Sequence, residues 1–277
     1  MTLRHAPFEE SWDFSIGLKP IAPDAWLEGG ENDPAGRKAP LLRDHPQVVW
    51  GEAEGSRPAQ AEAAALVEAA LGLQGLAAEP PPLLAAALRV SDDLVLLERR
   101  DGVWRVTAVS LSAPTFFAAT DVLGRSLAEI HGPVTGFSER FLARVERIFD
   151  SLRPDLILQR RNWSVVNSPE PFTPDPAPMR AKIPQIAPEA AAEALFLRVE
   201  RQTLRRLPQT GAALFTIRVW LDPLSALAAD PPRLAAFARA WRAAAADFRA
   251  YKRLPLYDEL VASFLRAHGE SHSVNAG

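Results

Sequence analysis

The chain has 277 residues, a formal net charge of -3 and a pI near 6.0, a balance that gives no reason to expect a nucleic-acid or anionic-membrane partner. It contains no cysteine, which excludes disulfides, thiolate catalysis, cysteine-ligated iron–sulfur clusters and c-type haem attachment. The opening "MTLRHAPFEESWDF" lacks the apolar core of a signal peptide and the apolar runs are too short to span a bilayer, so a soluble, cytoplasmic protein is expected.

Residues 1–58 are rich in turn formers, with Phe8, Trp12, Phe14, Trp26, Leu41, Leu42, Val48 and Trp50 as isolated apolar anchors; they predict an extended arm laid over a core. Alanine content and apolar spacing predict a helix over 59–77, stopped by "EPPPLL". Two β-rich runs meeting at Asp101-Gly102 predict a hairpin. Residues 138–152 read as a helix with Ser138 as N-cap and with Phe141, Leu142, Val145, Phe149 and Leu152 on one face. A strand over 159–167 precedes a proline-rich surface loop.

A second hairpin is expected on either side of Gln209-Thr210-Gly211. In its first arm Phe196, Arg198, Glu200 and Gln202 point one way, and Leu195, Leu197, Val199 and Arg201 the other. Asp222-Pro223 reads as a helix cap followed by proline at the first helical position, and residues 222–253 and 256–268 read as helical. Residues 268–277 are expected to be a flexible tail. The order of elements predicts an α+β fold with about five antiparallel strands, residues 59–267 forming one domain.

No dinucleotide fingerprint, Walker loop, H-E-x-x-H or G-x-S-x-G is present. The chain has five histidines, of which His268 and His272 stand four apart near the end and are read as tail residues rather than ligands. His131, in "LAEIHGPV", is the exception. A lone histidine is ordinarily a capping or surface residue, but here apolar Leu127 and Ile130 precede it, Gly132 removes side-chain bulk beside it and Pro133 fixes the exit. One histidine in an apolar pocket suffices to hold haem b through iron, leaving the opposite axial position for O₂.

With "SDDLVLLE", "LGRSLAEIHGPV", "RRNWSV" and above all "LRVERQTLRRLPQTGAALFTIRVW", the sequence resembles the haem-dependent oxidative N-demethylase α-subunit family, from about "LKPIAPDAWLE" to "LDPLSAL". It departs from the family at Pro114-Thr115-Phe116-Phe117, where a proline-serine-x-tryptophan pattern is expected. The resemblance implies a PAS-like antiparallel sheet flanked by helices and carrying haem b, with His131 as the proximal, metal-binding ligand. It implies monooxygenase chemistry on a secondary or N-methyl amine such as dimethylamine, giving a primary amine and formaldehyde. Electrons would come from NADPH through FMN and an iron–sulfur cluster on flavin- and ferredoxin-type partner subunits, which agrees with a chain that has neither cysteine nor a nucleotide fingerprint.

Arginine forks bind carboxylates, so haem propionates direct attention to Arg160, Arg161, Arg201, Arg205, Arg206 and Arg218, with Arg161, Arg201 and Arg205 as the cofactor-binding candidates. Glu200, with Arg218, is the catalytic candidate: a carboxylate can hold an ammonium substrate or take its proton. Its alternative role is a cross-strand ion pair with Arg218 or a neighbour. Trp163 reads as core. The competing functions are a non-catalytic haem-binding gas or redox sensor on the same fold and a haem-free descendant that keeps only the scaffold.

Overall fold

The computed structural model describes residues 3–10, 16–29, 31–132 and 141–269. Its seven strands are β1 (Lys19–Ile21), β2 (Trp50–Glu52), β3 (Asp93–Arg100), β4 (Val103–Ser110), β5 (Ile157–Val166), β6 (Phe196–Arg206) and β7 (Ala213–Pro223). They form one antiparallel sheet in the order β1-β5-β6-β7-β3-β4-β2. The fold is mixed α and β, as expected, but the sheet has seven strands rather than about five. The extra pair, β1 and β2, are its two edges and come from the segment read as an extended arm. Each is only three residues long, too short to display the period-2 alternation by which a strand is recognised.

By contact density the chain divides into two units, one of residues 16–160 and 201–218, the other of residues 1–15, 161–200 and 219–277. The first contains α1 (Pro34–Asp44), α2 (Pro46–Val49), α3 (Arg57–Leu71), α4 (Pro82–Ala87), α5 (Ala119–Val122), α6 (Leu127–Ile130) and α7 (Ala143–Ser151). Asp101 and Gly102, at φ 51° and 78°, form the turn between β3 and β4, whose twist matches the flanking strands. Helix α3 begins two residues ahead of the predicted start, ends six residues short of the predicted end, and is closed by Gly72 in the left-handed conformation at φ 66°. Ser138, the predicted cap of the 138–152 helix, lies outside the described residues; α7 buries Phe149, with Leu142 and Val145 packed beside it.

Two apolar layers cover the faces of the sheet in this unit. One gathers Trp26, Val67, Leu83, Leu94, Leu96, Ile157 and Leu214; the other gathers Val95, Leu97, Trp104, Leu127, Phe149 and Leu204. Leu94 and Leu96 alternate with Val95 and Leu97 along β3, so the two layers are the two faces. The β6–β7 turn is held from outside by Glu62 of α3, whose carboxylate accepts from the main-chain N–H of Gln209 (2.6 Å) and Thr210 (2.8 Å) and from the Thr210 hydroxyl (2.6 Å).

The second unit contains α8 (Ala177–Lys182), α9 (Ala191–Ala194), α10 (Ser225–Ala228), α11 (Pro231–Ala243), α12 (Ala246–Tyr251) and α13 (Asp258–Gly269). Phe8, Trp163, Phe237 and Phe248 make tilted and edge-on ring contacts at its centre, with centroids 5.6–6.1 Å apart, which places Trp163 in the core as read. Asp222-Pro223 is not a helix cap: it ends β7, and the Asp222 carboxylate accepts from the Arg4 N–H at 3.4 Å. The aspartate–proline cap of this region is Asp230, whose Oδ1 accepts from the Arg233 N–H at 3.2 Å ahead of Pro231 and Pro232.

Candidate functional site

His131 is placed by a local device. Ser126 and Glu129 form a reciprocal capping box at the start of α6, the Ser126 Oγ accepting from the Glu129 N–H and the Glu129 carboxylate accepting from the Ser126 N–H. One helical turn later His131 terminates the helix, and its Nδ1 lies 2.8 Å from the Leu127 carbonyl oxygen. A carbonyl only accepts, so Nδ1 carries the proton and the neutral ring keeps its lone pair on Nε2. Burial pushes the imidazole pKa below its ordinary value; the Leu127 carbonyl opposes this and the Arg160 guanidinium adds to it. The histidine is therefore neutral at physiological pH. A Cβ added to Gly132 would meet the Glu129 carbonyl oxygen at 3.3 Å, so glycine suits the tight exit.

This donor set fits an axial haem ligand: a neutral imidazole, the far nitrogen tied to a carbonyl that fixes the tautomer and raises basicity, beside apolar Leu127 and Ile130. Among the described residues no group of three or more histidine, aspartate or glutamate side chains is arranged to hold a bare metal ion.

A family model, haem-dependent oxidative N-demethylase, alpha subunit-like, matches residues 73–262, well over half of the chain. The chain belongs to this haem-dependent oxidative N-demethylase alpha subunit-like family. The match spans His131, Glu200 and all six arginines considered from the sequence.

Strand alternation divides those arginines. Arg201 is 1% exposed and its guanidinium is committed to the turn before α1: it donates to the main-chain carbonyls of Ala25 and Trp26 (2.8 Å to the latter), to Gln159 Oε1 at 2.5 Å, and pairs with Glu28 at 2.9 Å. Arg205 lies over the Trp26 ring at 4.7 Å, and burial lowers its pKa. Trp26 belongs to one apolar layer, whereas Leu127, Ile130 and Leu204 belong to the other. Arg201 and Arg205 thus sit on the sheet face opposite His131. Both guanidiniums, the cofactor-binding candidates named from the sequence, are engaged on that Trp26 face.

Arg160 alternates with Gln159 and shares the face of Leu158, which packs with the His131 layer, and its charge acts on His131. On the sequence alone it stands beside Arg161 with nothing to distinguish the two. The neighbouring Arg161 is exposed.

Glu200 is half-buried on β6 and pairs with Arg198 Nε at 3.4 Å. Arg198 itself is 2% exposed and also donates to the Pro171 carbonyl at 3.4 Å. Arg218 is buried and pairs with Glu31 at 3.4 Å; burial lowers its pKa while Asp92 and Glu31 oppose the shift. A groove of about 650 Å³ between α11 and α13, lined among others by Leu234, Ala238, Trp241, Asp258 and Leu265, contains none of these candidates.

No helix among the described residues is long and apolar enough to cross a membrane.

Proposed function

We propose that the chain is the haem b-binding subunit of a monooxygenase that removes a methyl group from a secondary or N-methyl amine, on a PAS-like scaffold. The observation that carries the reading is the His131–Leu127 contact within a chain of this family: a half-buried neutral imidazole whose Nδ1 is engaged by a carbonyl. Haem b, when bound, supplies O₂ activation and the oxidation of the methyl carbon, and the products are formaldehyde and the demethylated amine. His131 would hold the iron through Nε2, and the Arg160 guanidinium acts on that imidazole. An alkylamine arrives as an ammonium, and Glu200 is the carboxylate that holds it by charge or accepts the proton from its nitrogen. The chain receives its electrons from NADPH by way of FMN and an iron–sulfur cluster on partner subunits, since it has no cysteine to hold a cluster itself.

The test is His131→Ala purified from haem-supplied cells. Loss of the Soret band with far-UV circular dichroism unchanged is the expected result. A wild-type Soret band in the variant overturns the ligand assignment. A His131-dependent spectrum with no amine-induced shift and no formaldehyde release under supplied electrons turns the reading to a haem sensor.

A further inference from the structure

Helices α11 and α13 each carry a stripe of residues that the core of their unit does not use. On α11, Leu234, Phe237 and Trp241 are buried. The adjoining stripe, Ala235, Ala238, Arg239 and Arg242 at i, i+3, i+4 and i+7, stays wholly or partly exposed. On α13, Ala262 is half-buried and Arg266, four residues on, is exposed. Both stripes open onto the groove of about 650 Å³ between the two helices. Alanine at 235, 238 and 262 keeps its floor apolar and shallow.

The rim is cationic. Arg239, Arg242 and Arg266 line the groove, and none of them is in a hydrogen bond or ion pair among the described residues. The arginines nearby are engaged: Arg233 pairs with Asp230 at 3.5 Å, and Arg249 pairs with Asp258. Asp258, the one carboxylate among the described lining residues, also accepts from Trp241 Nε1 at 3.1 Å, so it has no charge left over for the three guanidiniums. A chain of formal net charge -3 thus gathers three uncompensated positive charges around one apolar groove.

We propose that the α11–α13 groove is a docking site for an acidic amphipathic helix of a partner protein, its apolar side chains on the alanine floor and its carboxylates on Arg239, Arg242 and Arg266. Two helices side by side offer the groove into which a third helix lays its apolar face. The 13 residues of α11 set a length of about 20 Å for that contact. Charge selects the occupant. A groove-to-groove contact with a second copy would set three guanidiniums against three. Residues 270–277 bring one acidic side chain, Glu270, and one branched apolar one, Val274, against three cations.

The probe is a fluorescein-labelled synthetic helix of about 16 residues, long enough to fold in part alone. It carries leucines along one face and glutamates on both flanks, and its twin carries glutamines in their place. Fluorescence anisotropy with the full chain at low salt should show the glutamate helix binding roughly tenfold tighter, since each exposed ion pair is worth about 1.4- to 5-fold in affinity. The gap should close near 1 M salt, where charges are screened beyond about 3 Å. The variant Arg239→Gln/Arg242→Gln/Arg266→Gln should abolish the gap and leave the affinity of the glutamine twin as in wild type. Ala238→Gln, which puts a longer side chain on the floor, should weaken both. Equal binding of the two helices, a gap that survives in the triple variant, wild-type affinity in Ala238→Gln, or a leucine-free poly-glutamate that binds as tightly as the helix overturns the proposal. So does a dimer in sedimentation that the peptide dissociates, which assigns the groove to a second copy. Binding that appears only once residues 270–277 are removed assigns it to the chain's own end and overturns the proposal as well.

Discussion

Replacing Arg201 by methionine separates a structural arginine from a cofactor-binding one. Methionine keeps much of the stem packing and deletes the guanidinium. What is lost is the link from β6 to the 25–28 turn: two main-chain carbonyls, Gln159 and the Glu28 pair. Breaking a buried ion pair by removing one partner costs about 3–5 kcal/mol. Glu28 is 28% exposed and regains water when abandoned, so the low end, about 3 kcal/mol, applies. For a chain of this size that corresponds to a Tm lowered by roughly 6–12 °C. The assay pairs a thermal melt with haem content per folded protein below the transition. The expected result is a depressed Tm and wild-type haem loading. A Tm within 2 °C of wild type together with lost haem, on the scale of this roughly 6–12 °C expectation, would refute the assignment of Arg201 to the face opposite His131.

The remaining expectations need less argument. Glu200→Gln keeps shape and loses charge; it should weaken the amine-induced Soret shift about tenfold, near the weight of one charge-assisted contact, without changing haem content. An unchanged amine titration would make Glu200 only the partner of Arg198. Glu62→Gln leaves one acceptor oxygen where two now serve three donors, and should cost about 2–3 kcal/mol, read as a lower urea midpoint at constant m. A midpoint equal to wild type would show that the β6–β7 turn holds its own geometry.

The hairpins and the long helices were legible because each rests on local chemistry. Asp101-Gly102 accepts two positive φ angles, and Gly211, at φ 71°, closes the second hairpin. Period-2 alternation continues across both. The 34–44 helix was missed for the same kind of reason. "NDPAGRKAP" displays turn residues, and its helix is fixed by an Asp33 cap on the Gly36 N–H at 2.8 Å and by a buried cation, neither of which registers as apolar periodicity. Asp222-Pro223 misled because the identical dipeptide signal recurs eight residues later at Asp230-Pro231, and only the length of β7 decides which of them begins a helix.

The site was half legible, and the missing half is a matter of faces. His131 stood out from composition and from its glycine–proline exit. The arginines were chosen because they cluster in sequence near family motifs, but on a strand neighbouring residues are on opposite sides. Arg160 and Arg161, or Leu204 and Arg205, differ by one position and by the thickness of the sheet. Alternation alone sorted Arg201 with Val199 and away from Gln202. It left unknown which face α6 joins, since that is set by Leu127 and Ile130 packing with Val95, Trp104 and Leu204, contacts distant in sequence. Once that one packing fact is fixed, the period-2 pattern assigns every arginine of β5 and β6 in this unit to a side, and Arg160 and Arg206, rather than Arg201 or Arg205, share a face with the histidine.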